Sequence, residues 1–183
     1  MTNLPKAASP TITKHPEQLR RQLRELPAFR ALLRAVEADF YADLPMPAPV
    51  LDLGCGDGHF AQVAFDEKLD VGLDPGWAPL REAQCRDQHR RLTHADGAAM
   101  PLPSGTFGTV VSNSVLEHIP DVDPVLNEVA RVLETGGWFH FAVPGPNFRR
   151  YLLGARVLEA LGLKGPAASY RALFDRISRH YYY

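Results

Sequence analysis

The chain has 183 residues, 45% hydrophobic and 22% charged, which suits one globular domain with a real core and excludes disorder throughout. No run approaches the roughly 20 apolar residues of a bilayer span, and residues 1–16 carry no apolar signal-like stretch. The net charge of −1 conceals a division into +2 over residues 1–45, −8 over 46–144 and +5 over 145–183, so the middle is a poor nucleic-acid surface.

Residues 1–15 read as a frayed lead. Residues 16–47 form an N-terminal helical segment, with Leu19, Leu23, Leu26, Phe29, Leu32 and Leu33 near helical spacing and Pro27 breaking it in two. Its end, Pro45-Met46-Pro47-Ala48-Pro49, is a stiff connector. Residues 48–144 then alternate strand and helix. The expected strands are Val50–Leu53, Val71–Leu73, Leu92–Ala95, Thr109–Ser112 and Trp138–Val143. The expected helices are His59–Lys68, Ala78–Gln88 and Asp123–Glu134. Asp123 should cap the last of these and Gly136-Gly137 should stop it. Such alternation predicts an α/β fold, a Rossmann-like parallel sheet with helices on both faces. Ligands in such sheets sit outside the carboxyl ends of the strands. Residues 145–183 read as helical and basic. Tyr170, Leu173, Phe174, Ile177 and Tyr181 make an apolar stripe there that needs a partner. No further strand can be placed after residue 144.

The two cysteines, Cys55 and Cys85, form no CxxC pair. A disulfide scaffold or cysteine zinc site is unsupported, and a reducing cytoplasm is the expected location.

The strongest local signal is Asp52-Leu53-Gly54-Cys55-Gly56-Asp57-Gly58, a glycine turn between a strand and a helix. Its glycines permit positive φ and close approach of backbone to a ligand. A dinucleotide site uses GxGxxG, but these glycines are spaced GxGxG and His59 stands at the third dinucleotide position. Asp52 and Asp57 would repel a pyrophosphate and suit a cationic ligand. S-adenosylmethionine, with a sulfonium and an ammonium, fits that charge better than NAD or FAD.

Here the sequence resembles the class I S-adenosylmethionine-dependent methyltransferases, most of all the small-molecule group that includes quinone-biosynthesis enzymes. The resemblance covers about residues 48–144 and implies S-adenosylmethionine as cofactor. The family sheet commonly has seven strands, the last two an antiparallel hairpin, so five strands here imply a chain truncated from a longer protein, or a reduced form with an exposed sheet edge. It places Asp52, Gly54, Cys55 and Gly56 at the methionine part. Asp74 matches the acid that binds both ribose hydroxyls, with Pro75 near adenine. Asp96-Gly97 matches the pair that reads adenine. Met100-Pro101-Leu102-Pro103 and Phe107 resemble the "LPF…F" stretch. Ser112-Asn113-Ser114-Val115-Leu116-Glu117-His118-Ile119 resembles the "VLEH" motif and adds Ser112 and Asn113 to the cofactor residues. Gly108 departs from the Asp usual after Phe, which implies a local stability matter. Ser114 replaces the first acid of a metal-binding variant of the motif, so no metal is expected.

The resemblance implies methyl transfer by in-line displacement, in which the protein positions and desolvates. A base is needed only if the acceptor must lose a proton, and His118 is the catalytic candidate. His140, inside the fifth strand, is expected to be a packed histidine; His59 would border the cofactor, and His180 would reach an acceptor only if the tail folds back. The acceptor should meet residues 16–44 and 145–183, which supply Arg20, Arg21, Arg24, Arg30 and Arg34, then Arg149, Arg150, Arg156, Arg171, Arg176 and Arg179. Arginine favours carboxylate and phosphate, so a small acceptor, anionic or lipid-like, is the expectation, with membrane-surface contact as one version. No nucleic-acid partner is expected, and the oligomeric state stays open. Two other readings remain: a non-catalytic module that binds S-adenosylmethionine, and a nicotinamide-dependent oxidoreductase.

Overall fold

A computed structural model describes residues 28–145 and 152–178, together with Leu19, Arg20, Leu23, Arg24 and Leu26. In chain order its elements are α1 (Ala28–Ala42), β1 (Val50–Leu53), α2 (His59–Ala64), β2 (Leu69–Asp74), α3 (Trp77–Arg86) and β3 (His89–His94). There follow β4 (Phe107–Asn113), a 3-10 turn (Leu116–His118), α4 (Asp123–Val132), β5 (Leu133–Ala142), α5 (Leu153–Ala160) and α6 (Lys164–Ser178). The strands form one sheet in the order β3-β2-β1-β4-β5, and every neighbouring pair is parallel. The expected α/β Rossmann-like fold is therefore present. Strand order reverses between β1 and β4, which opens a crevice at their carboxyl ends.

Two apolar layers flank the sheet. Leu51 and Leu53 pack with Leu73, Val110 and the Val125, Val129 and Val132 ridge of α4. Val50 packs instead with Tyr41, Ala61 and Val111, under α1 and α2. Side chains alternate along a strand, so Asp52 lies on the Val50 face and Leu53 on the opposite one.

Several boundaries differ from expectation for local reasons. Helix α3 ends at Arg86 because Asp87 turns left-handed at φ 54, and β3 begins three residues before the expected Leu92. Strand β5 begins at Leu133, directly after α4, because Leu133 pairs with Phe107. The register shifts before Trp138 pairs with Thr109, and Gly136 at φ 85 lies within that irregularity. The glycine pair thus shapes the strand and does not stop the helix. Asp123 is the first residue of α4 and makes no side-chain cap; Asp121 Oδ1 accepts from the Asp123 N–H at 3.3 Å. Gly108 also has a steric cause, since a Cβ there would lie 2.6 Å from the Pro47 carbonyl oxygen. The connector crosses β4 at that point, where Thr109 Oγ1 donates to Pro47 O at 2.9 Å.

Helices α5 and α6 form a hairpin around Leu152, Ala155 and Ala167. A Cβ on Gly154 would meet the Tyr170 ring at 2.8 Å, so glycine allows the two helices to close. Of the expected stripe, Phe174 packs on this small core, whereas Tyr170 and Leu173 are exposed. Tyr181 and the Ile177 side chain lie outside the described residues. Among the described residues no strand follows β5, and no helix is long and apolar enough to cross a membrane.

Candidate active site

The glycine turn closes the carboxyl end of β1. Gly54, Gly56 and Gly58 all take positive φ, at 76°, 53° and 75°. Gly54 and Cys55 both donate their N–H to Leu73 O, at 2.7 and 3.1 Å, which ties the turn to β2. Each glycine has its own reason. A Cβ on Gly54 would sit 2.5 Å from Val115 Cγ2, and one on Gly58 would sit 3.2 Å from Ala83 Cα of α3. A Cβ on Gly56 would meet nothing within 4 Å, so its side faces open space.

Asp74 ends β2 and is held from two directions. Its Oδ2 accepts from the Gly56 N–H at 3.0 Å and its Oδ1 from the Gly76 N–H at 2.7 Å. Each carboxylate oxygen has two acceptor sites, so one on each stays available. Asp96, after β3, is exposed and accepts from the Ala98 N–H at 2.8 Å. Gly97 beside it is buried, and a Cβ there would lie 3.2 Å from Leu53 Cδ1.

These groups share a cavity of about 440 Å³ at the carboxyl ends of β1, β2 and β4. Gly54, Asp74, Pro75, Asp96, Gly97 and His118 of the expected set line it. Leu53, Leu73, Ser114, Val115, Ile119 and Pro120 complete the wall. Sequence reading missed these as wall residues, although the resemblance to the "VLEH" motif pointed at the segment that carries Ser114 to Ile119.

Other expected site residues lie elsewhere. Asp52 faces the opposite side of the sheet, where its Oδ2 accepts from His89 Nε2 at 2.8 Å in a buried pair. Asp57 Oδ1 accepts from the His59 N–H at 3.1 Å, and its Oδ2 lies 3.4 Å from Arg86 Nη2. Both acids expected to repel a pyrophosphate thus have cationic or N–H partners already, and neither stands as a bare charge over the turn. Cys55 is buried; burial pushes its thiol well up, with Asp52 and Asp74 adding to the shift. Ser112 Oγ donates to Leu53 O at 3.1 Å, and Asn113 Nδ2 donates to Glu37 Oε2 at 2.9 Å. They brace the cavity from behind and do not line it. His140 is buried in β5 with Nε2 2.8 Å from Pro45 O, a packed histidine. His180 lies outside the described residues.

Residues 51–141 match the methyltransferase domain family. A malonyl-[acyl-carrier protein] O-methyltransferase of Legionella pneumophila is 33% identical over 107 residues, 55% of this chain and 38% of that protein. A ubiquinone biosynthesis O-methyltransferase of Pseudomonas entomophila is 33% identical over 112 residues, 57% of this chain and 47% of that protein. These matches span less than half of either relative's length. The crystal structure of a Pyrococcus horikoshii protein shares the fold, with a TM-score of 0.55 at 24% identity over 64% of this chain and 58% of that one. Over residues 51–141 this chain carries a domain like those of the S-adenosylmethionine-dependent methyltransferases.

The cofactor of this methyltransferase family is S-adenosylmethionine, and the residues present fit it. The cavity volume falls within the roughly 300–1,000 Å³ of small-ligand pockets. Its wall is mainly apolar, with two carboxylates, Asp74 at the end of β2 and Asp96 just after β3. The Cβ-less face of Gly97 lets Leu53 pack against it in the wall, and the side of Gly56, outside the lining, faces open space.

The methyltransferase domain is joined to α1 at the end of β4. Arg34 Nη1 donates to Glu37 Oε2 at 2.6 Å and to Ser114 Oγ at 3.2 Å. Ser114 sits at φ 56, unusual for a residue with a side chain. Tyr41 Oη donates to Ser112 O at 3.1 Å. Burial pushes the Tyr41 hydroxyl well up, with Asp52 and Glu37 adding to the shift. The Glu117 side chain is 1% exposed, and its Oε2 has no hydrogen-bond partner. Burial pushes that carboxyl above the usual range, Glu37 adds to the push, and His118 and Arg34 oppose it. The His118 side chain is 43% exposed on the cavity rim, with Nε2 4.0 Å from Glu117 Oε1. Among the described residues no cluster of His, Cys, Asp and Glu could hold a metal.

Proposed function

We propose that this chain moves the methyl group of S-adenosylmethionine to a small-molecule acceptor in the cavity at the β1–β4 switch point. The observation that carries the reading is Asp74, locked by Gly56 and Gly76 at the cavity wall with an acceptor site left on each oxygen. Such a carboxylate can receive the two ribose hydroxyls side by side. Asp96 would accept from the exocyclic amine of adenine, the Gly97 N–H would meet a ring nitrogen, and Pro75 would lie near the ring. Gly54 and Gly56 would carry backbone beside the methionine part. The bound cofactor supplies an electrophilic methyl group on a sulfonium.

The protein's share is positioning and exclusion of water. Leu53, Leu73, Val115 and Ile119 make the apolar wall. His118, on the rim, would take a proton from an acceptor that must lose one. Arg34 is engaged by Glu37 and Ser114, and Arg171 Nη1 donates to Glu159 Oε1 at 2.7 Å, so each guanidinium already has a carboxylate partner. Arg21, Arg30, Arg149, Arg150, Arg176 and Arg179 have side chains outside the description. A small acceptor, anionic or lipid-like, is supported by the basic charge of residues 145–183 and by the relatives named malonyl-[acyl-carrier protein] O-methyltransferase and ubiquinone biosynthesis O-methyltransferase.

Calorimetry with S-adenosylmethionine and with NAD tests the cofactor. Binding of NAD alone would overturn the reading. Incubation with S-adenosylmethionine and a metabolite pool, read by mass spectrometry, tests the reaction. S-adenosylhomocysteine formed only with the pool is the expected result. Tight binding with no turnover against any pool would make the chain a binding module.

A further inference from the structure

Strand β1 is the centre of the sheet, and all four of its residues are buried. A carboxylate in the middle of such a strand is costly unless it is paired. Asp52 has its pair two strands away. His89 opens β3, β2 lies between, and yet His89 Nε2 reaches Asp52 Oδ2 at 2.8 Å. The His89 side chain is fully buried and that of Asp52 is 8% exposed.

The crossing depends on Gly72. In register Gly72 is the β2 neighbour of Asp52. A Cβ on Gly72 would lie 2.8 Å from His89 Cδ2, 2.9 Å from Leu92 Cδ2 and 3.0 Å from Cys55 Sγ. The missing side chain is the gap through which the imidazole passes over β2. The same three contacts show what surrounds it, since Cys55 belongs to the glycine turn. A carboxylate can only accept, so His89 Nε2 carries the proton of this bond, and the buried Nδ1 has no partner.

Asp52 lies two residues before Gly54, on the end of β1 that the turn continues. That end is gripped from both sides in the plane of the sheet. Ser112 Oγ holds Leu53 O from β4, and Leu73 O holds the Gly54 and Cys55 N–H groups from β2. The His89–Asp52 bond supplies the third hold, from the α2–α3 face. Without it a buried carboxylate loses its partner directly behind the turn. It must then draw in water or rotate, and either change moves Leu53 and Gly54 at the cavity wall.

We propose that His89 is a positioning residue for the cofactor turn, acting on it through Asp52 across the gap at Gly72. The inference rests on the reading that this turn receives S-adenosylmethionine. Two variants of the whole chain test it. His89→Leu fills much of the space but leaves Asp52 unpaired; His89→Gln keeps an N–H donor at similar reach. Dissociation constants for S-adenosylmethionine are measured by calorimetry well below each unfolding midpoint, and the midpoints by circular dichroism. The expected result is an affinity about tenfold or more weaker for His89→Leu and within about threefold of the parent for His89→Gln. A merely structural role would lower the midpoint of His89→Leu and leave the affinity of the folded protein unchanged, and that result overturns the proposal. So does a His89→Gln variant as weak as His89→Leu. If His89→Leu proves insoluble, His89→Asn, too short to reach Asp52, takes its place with the same expected loss. A parent chain that does not bind S-adenosylmethionine at all refutes the cofactor reading itself, a distinct outcome.

Discussion

Gly54→Ala and Gly56→Ala separate two kinds of cost at one turn. Both glycines have left-handed φ, 76° and 53°, which costs a residue with a Cβ about 1–2 kcal/mol. Only Gly54 is also crowded, because its new methyl would lie 2.5 and 2.6 Å from the two methyls of Val115. Valine is stiff about χ1, so Val115 must rotate or shift into the cavity it lines. Overpacking of this sort adds about 1–3 kcal/mol. Gly54→Ala should therefore cost about 2–5 kcal/mol, and Gly56→Ala only the strain, about 1–2 kcal/mol. For a chain of this length each kcal/mol lowers the unfolding midpoint by about 2–4 °C. Thermal unfolding followed by circular dichroism should show a drop of about 4–20 °C for Gly54→Ala and about 2–8 °C for Gly56→Ala. Gly54→Ala should also bind S-adenosylmethionine less well, because Val115 intrudes into the cavity it lines. Equal losses of stability in the two variants would refute the steric argument at Val115.

Other substitutions probe the cavity and its supports. Asp74→Ala should weaken S-adenosylmethionine binding by about 1–3 kcal/mol in calorimetry, the usual cost of lost charge-assisted hydrogen bonds; unchanged affinity removes Asp74 from the site. Glu128 accepts from the Met100 N–H at 2.7 Å and from Arg131, whose guanidinium also donates to Leu102 O and Met100 O. The hydrogen bond from Arg131 holds the Glu128 carboxyl down at about 2. Its stabilising contribution is therefore full above the ordinary carboxylate range and lost as pH falls through about 2. The unfolding midpoint of Glu128→Gln should lie below the parent's at pH 7 and converge with it in strong acid; a gap that ignores pH contradicts the clamp. Glu117 works in the opposite sense, because burial raises its carboxyl. Its contribution is full below the ordinary carboxylate range and lost as pH rises through the raised one, so Glu117→Gln should gain on the parent in midpoint between acid and neutral pH. A constant difference across that range would mean that Glu117 has no raised titration.

The sheet was legible because its signals are local. Apolar runs between helical segments suffice to count five strands, and the glycine turn marks the first crossover. Register was not legible, because it depends on pairing. Leu133 became strand by meeting Phe107, and nothing within Leu133–Gly137 announces that partner. Gly136-Gly137 reads as a helix stop in isolation, yet in the sheet it is where β5 shifts against β4. Gly108 seemed a missing acid, while the folded chain shows the Pro47 carbonyl in the space a side chain would fill. In each case the deciding neighbour lies far away in sequence.

The acids around the turn follow the same rule, and they alter the reason for preferring one cofactor. From the sequence alone, Asp52 and Asp57 look like a negative rim that repels pyrophosphate. The fold gives one to His89 and the other to Arg86, so neither charge stands bare over the turn. The carboxylates that do face the cavity are Asp74 and Asp96, at the ends of β2 and β3. They lie toward the far side of the crevice from His118, where hydroxyl and amine donors rather than phosphates would be met. The chemical preference for a phosphate-free nucleoside cofactor therefore survives, but it shifts from the turn to the two strand ends beside it. That shift also frees Asp52 for the structural task that its pairing with His89 describes.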